Sequence, residues 1–319
     1  MRSVFFGTPE IAVPTLEALA KRPALRPLLV ITQPSARRSR RGAAEPSPVA
    51  ARALELGLEV VESDNVNEGL AYERLLKASP DLIVVVSFGQ ILKKRVLDLP
   101  RHGCLNFHPS LLPKFRGAAP VQRAVMAGER ESGLTVMRLV KKLDAGPILA
   151  QRPWTIGDTG SAEQLLVEAG ELGAPMMCDV MNRLDRGEVV VARDQDDSQA
   201  TYAPPLLKSD GILDWRKSGR VLSDLVRGVQ PWPRASAELN TQSGPRRIIV
   251  HAAKPSPLVA AAGQLHSIDE SGIVVGCGEG SLCLTQVQLE GKSVQSGRAL
   301  ANGLRLLPGA TFVVPESNS

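Results

Sequence analysis

The stretch Asp81-Leu82-Ile83-Val84-Val85-Val86 decides the fold. Four of its five consecutive apolar residues are β-branched, and the run leaves a strand with no polar face. Such a strand must be covered on both sides, which is the situation of a central strand in a parallel sheet between helices. Reading outward in both directions finds the same alternation. Upstream, Val4-Phe5-Phe6 is a short strand followed by the turn Gly7-Thr8-Pro9, and Ile11, Val13, Leu16 and Leu19 recur at helical spacing. Leu28–Ile31 and Leu58–Val61 read as strands, Val49–Leu56 and Leu70–Leu76 as helices. Downstream come strands at Gly103–Phe107 and Leu134–Leu139 and a long helix over Ala162–Leu184. Repeated strand–helix units predict a doubly wound, Rossmann-like α/β domain.

The pattern changes near residue 195. Asp194-Gln195-Asp196-Asp197-Ser198-Gln199 is a polar bridge, and Tyr202-Ala203-Pro204-Pro205 is stiff. Beyond it lies one helix, Val221–Val226, then Pro231-Trp232-Pro233. Short strands follow between Gly, Ser and Pro turns: Ala235–Leu239, Arg247–Ala252, Ile273–Cys277 and Leu282–Val287. That spacing predicts a small, OB-like β-barrel. The chain's 319 residues exceed what one hydrophobic core commonly serves. The expected organisation is a first domain over 1–194, a linker over 195–208 and a second domain over 209–319.

Composition narrows the function. The net charge is +5, which permits a polyanionic partner. Residues 203–319 hold 12 Lys and Arg against 9 Asp and Glu, while the first 202 hold 26 against 24, so the second part is the more basic per residue. Aromatic residues make up 3%, too few for a wide base-stacking surface. No apolar run approaches a membrane span, and with a strand starting at Val4 no signal peptide is expected. Cys104, Cys178, Cys277 and Cys283 lack Cys-x-x-Cys spacing. A cytoplasmic protein with reduced thiols and no structural metal is expected. The turn Gly7-Thr8-Pro9-Glu10 is not a dinucleotide-binding glycine fingerprint, which disfavours a dehydrogenase.

Candidate chemistry concentrates at the end of one strand, Leu105-Asn106-Phe107-His108-Pro109-Ser110. Alternation puts Asn106 and His108 on one face, at the sheet edge where α/β folds bind ligands. A neutral amide donor beside an imidazole can stabilise an oxygen gaining negative charge and move a proton. Asp144, in Leu143-Asp144-Ala145-Gly146, follows the strand over 134–139 and is expected at the same edge. A carboxylate there would favour and orient an imidazolium; by itself the segment also reads as an ordinary turn. Cys104 shares the face but lies deeper in the strand and reads as core.

Leu105 to Pro120 closely resembles the signature of formyltransferases that use 10-formyltetrahydrofolate. Thr32-Gln33-Pro34, Pro46-Ser47-Pro48-Val49, Ser87-Phe88-Gly89, Ile91-Leu92, Thr201-Tyr202-Ala203-Pro204, Asp214-Trp215 and Pro231-Trp232-Pro233 match in order. Arg116-Gly117-Ala118-Ala119-Pro120-Val121-Gln122-Arg123 is the narrower mark of the branch that formylates methionyl-tRNA. The resemblance implies formyl transfer to the methionyl α-amine of initiator tRNA, without a metal or a covalent enzyme intermediate, by a cytoplasmic monomer. It implies catalytic roles for Asn106, His108 and Asp144. Folate is then expected against Phe88, Gly89, Ile91, Leu92, Ser110, Leu111, Leu112 and Pro113, and tRNA on Arg37, Arg38, Arg40, Arg41 and the second domain. Family members that formylate glycinamide ribonucleotide are typically one domain, and those acting on nucleotide sugars, like the formyltetrahydrofolate hydrolases, usually differ after Arg-Gly. A nucleic-acid-binding module with a decayed site would have lost one of Asn106, His108 or Asp144. Two departures stand out: Ser35 follows Gln-Pro where an acidic residue is usual, and Pro205 stands where a lysine is often found.

Replacing Arg37, Arg38, Arg40 and Arg41 together by serine is expected to weaken methionyl-tRNA binding. Its log–log salt slope should flatten by about 0.7–0.9 for each phosphate that the arginines no longer neutralise, with folate binding nearly unchanged. Binding titrations across a salt series measure this, and an unchanged slope takes the loop out of RNA contact.

Overall fold

A computed structural model describes residues 1–37, 44–241 and 244–315. Arg38, Arg40 and Arg41 lie outside the described residues. From the N-terminus, β1 (Ser3–Gly7) leads through a 3-10 turn into α1 (Val13–Ala20). Then come β2 (Leu29–Thr32), the short pair β3 (Ala36–Arg37) and β4 (Ala44–Glu45), and α2 (Pro48–Glu55). They are followed by β5 (Val60–Glu62), α3 (Gly69–Ala78), β6 (Leu82–Val86), α4 (Lys94–Leu97) and β7 (Cys104–His108). Next are α5 (Pro120–Met126), the hairpin β8 (Glu131–Arg138) and β9 (Ile148–Thr155), and α6 (Ala162–Asp185). Local chemistry starts α2: Pro48 sits in its first turn, and the Ser47 hydroxyl accepts from Ala50 N at 3.0 Å.

The seven-stranded sheet runs β5-β2-β1-β6-β7-β8-β9. The first five strands are parallel. The chain winds from β1 to β2 and β5, then returns to β6 on the other side of β1. The carboxyl ends of β1 and β6 thus flank the reversal point at which doubly wound sheets bind ligands. Leu82 to Val86 are buried, as an all-apolar strand requires. One face, with Val4, Phe6, Ile31, Ile83, Val85 and Cys104, packs against Ala71 and Leu75 of α3 and Val96 of α4. The opposite face buries Phe5, Val30, Val84 and Phe107. There α6 approaches through glycines three residues apart: a Cβ on Gly173 would collide with the Phe107 ring, and one on Gly170 would lie 2.6 Å from the Ile11 carbonyl oxygen.

Two features depart from a purely parallel reading. Both β8 and β9 run antiparallel to their neighbours, β8 pairing His108 with Thr135 and Leu105 with Arg138. Strand β9 has no clean alternation and contains Pro153, which an edge strand tolerates because its missing N–H is not needed for a second ladder.

Contacts divide the chain into two compact units. The first holds residues 1–120, 131–155 and 164–203, the second 121–130, 156–163 and 204–319. Residues 195–203, expected as part of a linker, thus belong to the first unit. Hydrogen bonds from Arg116 to Gln195 and Asp197, and between the main chains of Arg116 and Ala203, hold them there.

The second unit contains α7 (Gly219–Gly228), β10 (Ala235–Thr241), β11 (Gly244–Ser256), β12 (Leu265–Ile268), β13 (Ile273–Gly276), β14 (Ser281–Leu289), β15 (Val294–Ser296) and α8 (Gly297–Leu304). Its antiparallel sheet runs β10-β11-β14-β13-β12, with β15 beside β14. Residues 310–313 bridge the two ends: Asn240 N donates to Thr311 O and Val313 N to Glu238 O on the β10 side. On the β12 side, Leu265 N donates to Ala310 O and Phe312 N to Gly263 O. This closes the sheet into a barrel around Trp215, Leu222, Val250 and Leu284, with the Phe312 ring 5.1 Å from Trp215. Among the described residues no helix is long and apolar enough to cross a membrane.

The α6 contact sets a stability test. Gly173→Ala gains about 1 kcal/mol of helix propensity. It overpacks a buried ring, which costs about 1–3 kcal/mol in ordinary cores and more where the neighbour cannot move. A lower thermal-unfolding midpoint by circular dichroism is expected. Gly303→Ala in α8, where a Cβ meets open space, should leave the midpoint unchanged or raise it.

Candidate functional site

Strand β7 places Asn106 and His108 as the alternation requires. Asn106 lies between Val85 of β6 and Met137 of β8 in register, and His108 ends the strand opposite Thr135. Asn106 is 8% exposed and His108 4%. The Asn106 carboxamide has no hydrogen-bond partner among the described residues, and its polar atoms are not among those sealed from water, so they open onto the sheet edge. An oriented amide donor is therefore left unspent at the sheet edge.

The imidazole is fixed from one side. His108 Nε2 lies 2.9 Å from the Phe115 carbonyl oxygen. A carbonyl can only accept, so Nε2 carries a proton and Nδ1 is the position that gains or loses the second one. Nδ1 faces Asp144 Oδ2 at 3.7 Å, and that oxygen accepts from Gly117 N at 2.8 Å. Asp144 Oδ1 has no partner among the described residues. Gly117 is at φ +122, and a Cβ there would come 2.6 Å from the Ala203 carbonyl oxygen. The residue that holds the carboxylate must therefore be glycine.

Asp144 reaches His108 by a different route from the expected one. Because β8 is antiparallel to β7, its last residue, Arg138, pairs with Leu105, away from the His108 end. The loop between β8 and β9 folds back to bring the carboxylate to the imidazole. Asp144 adopts φ +45 in that loop. Gln195 Nε2 holds it by donating to the carbonyls of Asp144 at 2.9 Å and Gly146 at 2.7 Å.

Arg116 stands behind Gln195. Its guanidinium has no exposure to water. It donates through Nε and Nη2 to Gln195 Oε1 at 3.1 and 2.8 Å and through Nη1 to Asp197 Oδ1 at 2.8 Å. Lys142 bonds the other oxygen of Asp197. Hydrogen bonds from Lys142 and then Arg116 hold the Asp197 carboxyl below its ordinary range. Gln195 and Arg116 were not singled out as site residues from sequence. A long-range pair leaves no local pattern, and Gln195 sits in a polar run that reads as a bridge.

From Ser110 to Pro113 the segment after His108 is tied down at each carbonyl. Ser110 O accepts from Thr135 Oγ1 at 2.7 Å, Leu111 O from Lys114 N at 3.1 Å, Leu112 O from Gln151 Nε2 at 2.9 Å and Pro113 O from Thr201 N at 3.3 Å. The N–H groups of Leu111 and Leu112 remain without a partner among the described residues. The Leu112 side chain is buried with Met137 and Ile148, and Pro113 is half-buried.

The loop after β6 is equally ordered by side chains that sequence reading passed over. Gln90 bonds Val66 N and Ser63 O at 2.7 and 2.6 Å, and Asn67 bonds Ile91 O and Lys93 N at 2.9 and 2.7 Å. Phe88 turns into the core, its ring 4.9 Å from Phe6, and its carbonyl accepts from Thr8 and Gln33. Gly89 is exposed at φ +81, Leu92 packs at the edge of the core, and Ile91 is 87% exposed. Of the residues expected to meet folate, Ile91 therefore offers apolar surface, and Leu111 and Leu112 offer free donors. Phe88 supports the loop from beneath. Of the expected RNA-binding arginines, Arg37 lies in β3 and the others fall outside the described residues.

Two family models match: formyl transferase over residues 1–192, and formyl transferase, C-terminal domain, over residues 205–305. A methionyl-tRNA formyltransferase of Citrifermentans bemidjiense is 39% identical across 97% of this chain and 95% of its own. The solved methionyl-tRNA formyltransferase from Clostridium thermocellum superimposes with a TM-score of 0.59 over 91% of this chain and 98% of that one, at 14% identity. HypX from Aquifex aeolicus, solved in complex with tetrahydrofolic acid, gives a TM-score of 0.64 over 95% of this chain and 47% of its own, at 16% identity. At such identities the structural likeness is one of fold.

Cys104 lies two residues before Asn106 on β7, and burial pushes its thiol up to about 12. Burial pushes Cys277 up to about 11 and raises Cys178 and Cys283 as well. A buried thiol that stays protonated is a poor nucleophile. Native protein at pH 8 is therefore expected to resist iodoacetamide at all four cysteines, with all four alkylated in denaturant. Mass spectrometry of the labelled protein checks this, and fast native labelling of Cys104 would mark it as reactive.

Proposed function

Since this chain belongs to the formyl transferase family, we propose that it moves the formyl group of 10-formyltetrahydrofolate onto the α-amine of methionyl-initiator tRNA. The product is N-formylmethionyl-tRNA for translation initiation, made by a cytoplasmic monomer. The observation that carries the reading is the unspent Asn106 carboxamide beside His108 and Asp144. The near full-length likeness to a methionyl-tRNA formyltransferase supports the choice of acceptor.

The residues fit the folate. Exposed Ile91 gives apolar surface for a flat ring, and the free N–H groups of Leu111 and Leu112 suit its polar edge. The backbone of Ser110 and Pro113 keeps that segment in place, as Phe88, Gly89 and Leu92 do for the loop carrying Ile91. The bound co-substrate supplies a formyl carbon activated by its bond to nitrogen, the bond that breaks as the new carbon–nitrogen bond forms.

The side chains of this protein then have distinct tasks. Asn106 donates to the formyl oxygen as it gains negative charge. His108, with Nε2–H held by Phe115, shares Nδ1–H between the same oxygen and Asp144 Oδ2, 3.7 Å away, when doubly protonated. Asp144 uses Oδ2 to stay anchored on Gly117, which leaves Oδ1 to take the proton the amine loses. That proton is passed on, directly or through water, to the folate nitrogen that departs. Residues 1–194 form the folate-binding, catalytic part. The barrel of residues 209–319, net positive, supplies RNA surface together with Arg37, Arg38, Arg40 and Arg41.

Purified protein, 10-formyltetrahydrofolate and either methionyl-initiator tRNA, methionyl-elongator tRNA or free amines make the deciding assay. Formylation of the initiator species is expected, and its absence overturns the reading. Asn106→Ala is expected to lower kcat by about 10²–10³ with the fold intact, and Asp144→Asn by about 10²–10⁴. Near-normal turnover in a folded Asn106→Ala protein would remove Asn106 from catalysis.

A further inference from the structure

Asp144 can act on His108 only if its loop holds a particular shape; within the loop, Gly146 permits the close approach to the Arg138 carbonyl oxygen, and the remaining hold comes from outside it. The residue sits in the left-handed region, φ +45, which residues with a side chain seldom adopt. Two carbonyls of the loop, those of Asp144 and Gly146, point at one amide nitrogen, Gln195 Nε2, at 2.9 and 2.7 Å. The other end of that amide, Oε1, accepts two hydrogen bonds from the fully buried guanidinium of Arg116. This double contact also settles which way the amide faces. Arg116 has donors and no acceptors, so Oε1 must turn to it and Nε2 to the carbonyls. Arg116 is itself pinned by main-chain bonds to Thr201 and Ala203 and by its ion pair with Asp197.

We propose that Gln195, oriented by Arg116, is a positioning residue for Asp144. It fixes the loop so that the carboxylate stays on Gly117 N and faces His108. The proposal rests on the formyl-transfer reading for its kinetic part. Its structural part stands on the contacts alone.

Gln195→Glu isolates the donor. A glutamate keeps the ion-paired contact with Arg116 but offers no N–H to the two carbonyls. The expected result is a fall in kcat of up to about 100-fold, the scale of loss that follows a misplacement of about 1 Å near the chemistry. The KM values for 10-formyltetrahydrofolate and methionyl-tRNA should stay within about twofold of wild type, because no binding group is removed. Independently of activity, amide hydrogen exchange at Gly117 should speed up, since its N–H loses a fixed carboxylate acceptor. Exchange in β6 should be unchanged.

Unchanged Gly117 exchange overturns the proposal whatever happens to turnover. So does a normal kcat, or a raised KM at normal kcat. Should the glutamate variant fail to fold, Gln195→Asn takes its place. It keeps both amide functions on a shorter arm that cannot span Arg116 and both carbonyls, and the same readouts apply. Failure of the wild-type protein to formylate methionyl-tRNA would count against the functional reading, while Gly117 exchange would still decide the positioning claim.

Discussion

A guanidinium shut away from water has to be paired, and the pairing of Arg116 organises the site around it. Burying an unpaired cation costs several kcal/mol, so the chain brings an amide and a carboxylate to it from about 80 residues further along, Gln195 and Asp197. Because Arg116 can only donate, Gln195 is left with its two N–H bonds to give elsewhere, and it gives them to the loop of Asp144. Because Arg116 also pairs its main chain with residues 201–203, the following glycine lies flat against Ala203 with its N–H on the Asp144 carboxylate. One satisfied charge thus orients both sides of the carboxylate that faces His108.

The second unit solves the opposite problem. There the buried group is an anion, Asp224 at 3% exposure, and three guanidinium groups meet it: Arg130 at 3.0 Å, Arg227 at 3.1 Å and Arg220 at 3.4 Å. Burial pulls the Arg227 cation below its ordinary range, against the pull of Asp224. The two networks differ in their neighbours. The first is continuous with free hydrogen-bonding groups at a sheet edge, and the second closes on its own ion pairs and barrel packing.

Antiparallel pairing at one edge of the sheet decides where the carboxylate can come from. A parallel strand beside β7 would have delivered its following loop to the His108 end directly. The hairpin β8–β9 points the other way, so the loop has to fold back and be held. That geometry separates the carboxylate from the strand on which the imidazole sits and makes its position dependent on residues outside the loop. The same edge gives β9 its tolerance of Pro153, and the two strands grip the segment after His108, β8 through Thr135 and β9 through Gln151.

The sequence by itself determined the apolar strands and the period of the helices. It also determined the pairing of Asn106 and His108 on one strand face and a change of architecture downstream of the polar bridge, although the first unit runs on to residue 203. These are local properties: a run such as Ile83-Val84-Val85-Val86 can be buried in few ways, and alternation along β7 follows from backbone geometry alone. Tertiary structure decided the direction of β8 and the fold-back of the Asp144 loop. It also decided the role of Gln195, the turning of Phe88 into the core, and the closure of the barrel by residues 310–313. Each of these depends on which distant group satisfies a buried charge, a free carbonyl or an open strand edge. Partners chosen across 50 to 90 residues leave no period and no spacing to read; they are set when the packed chain brings the two groups within hydrogen-bonding distance.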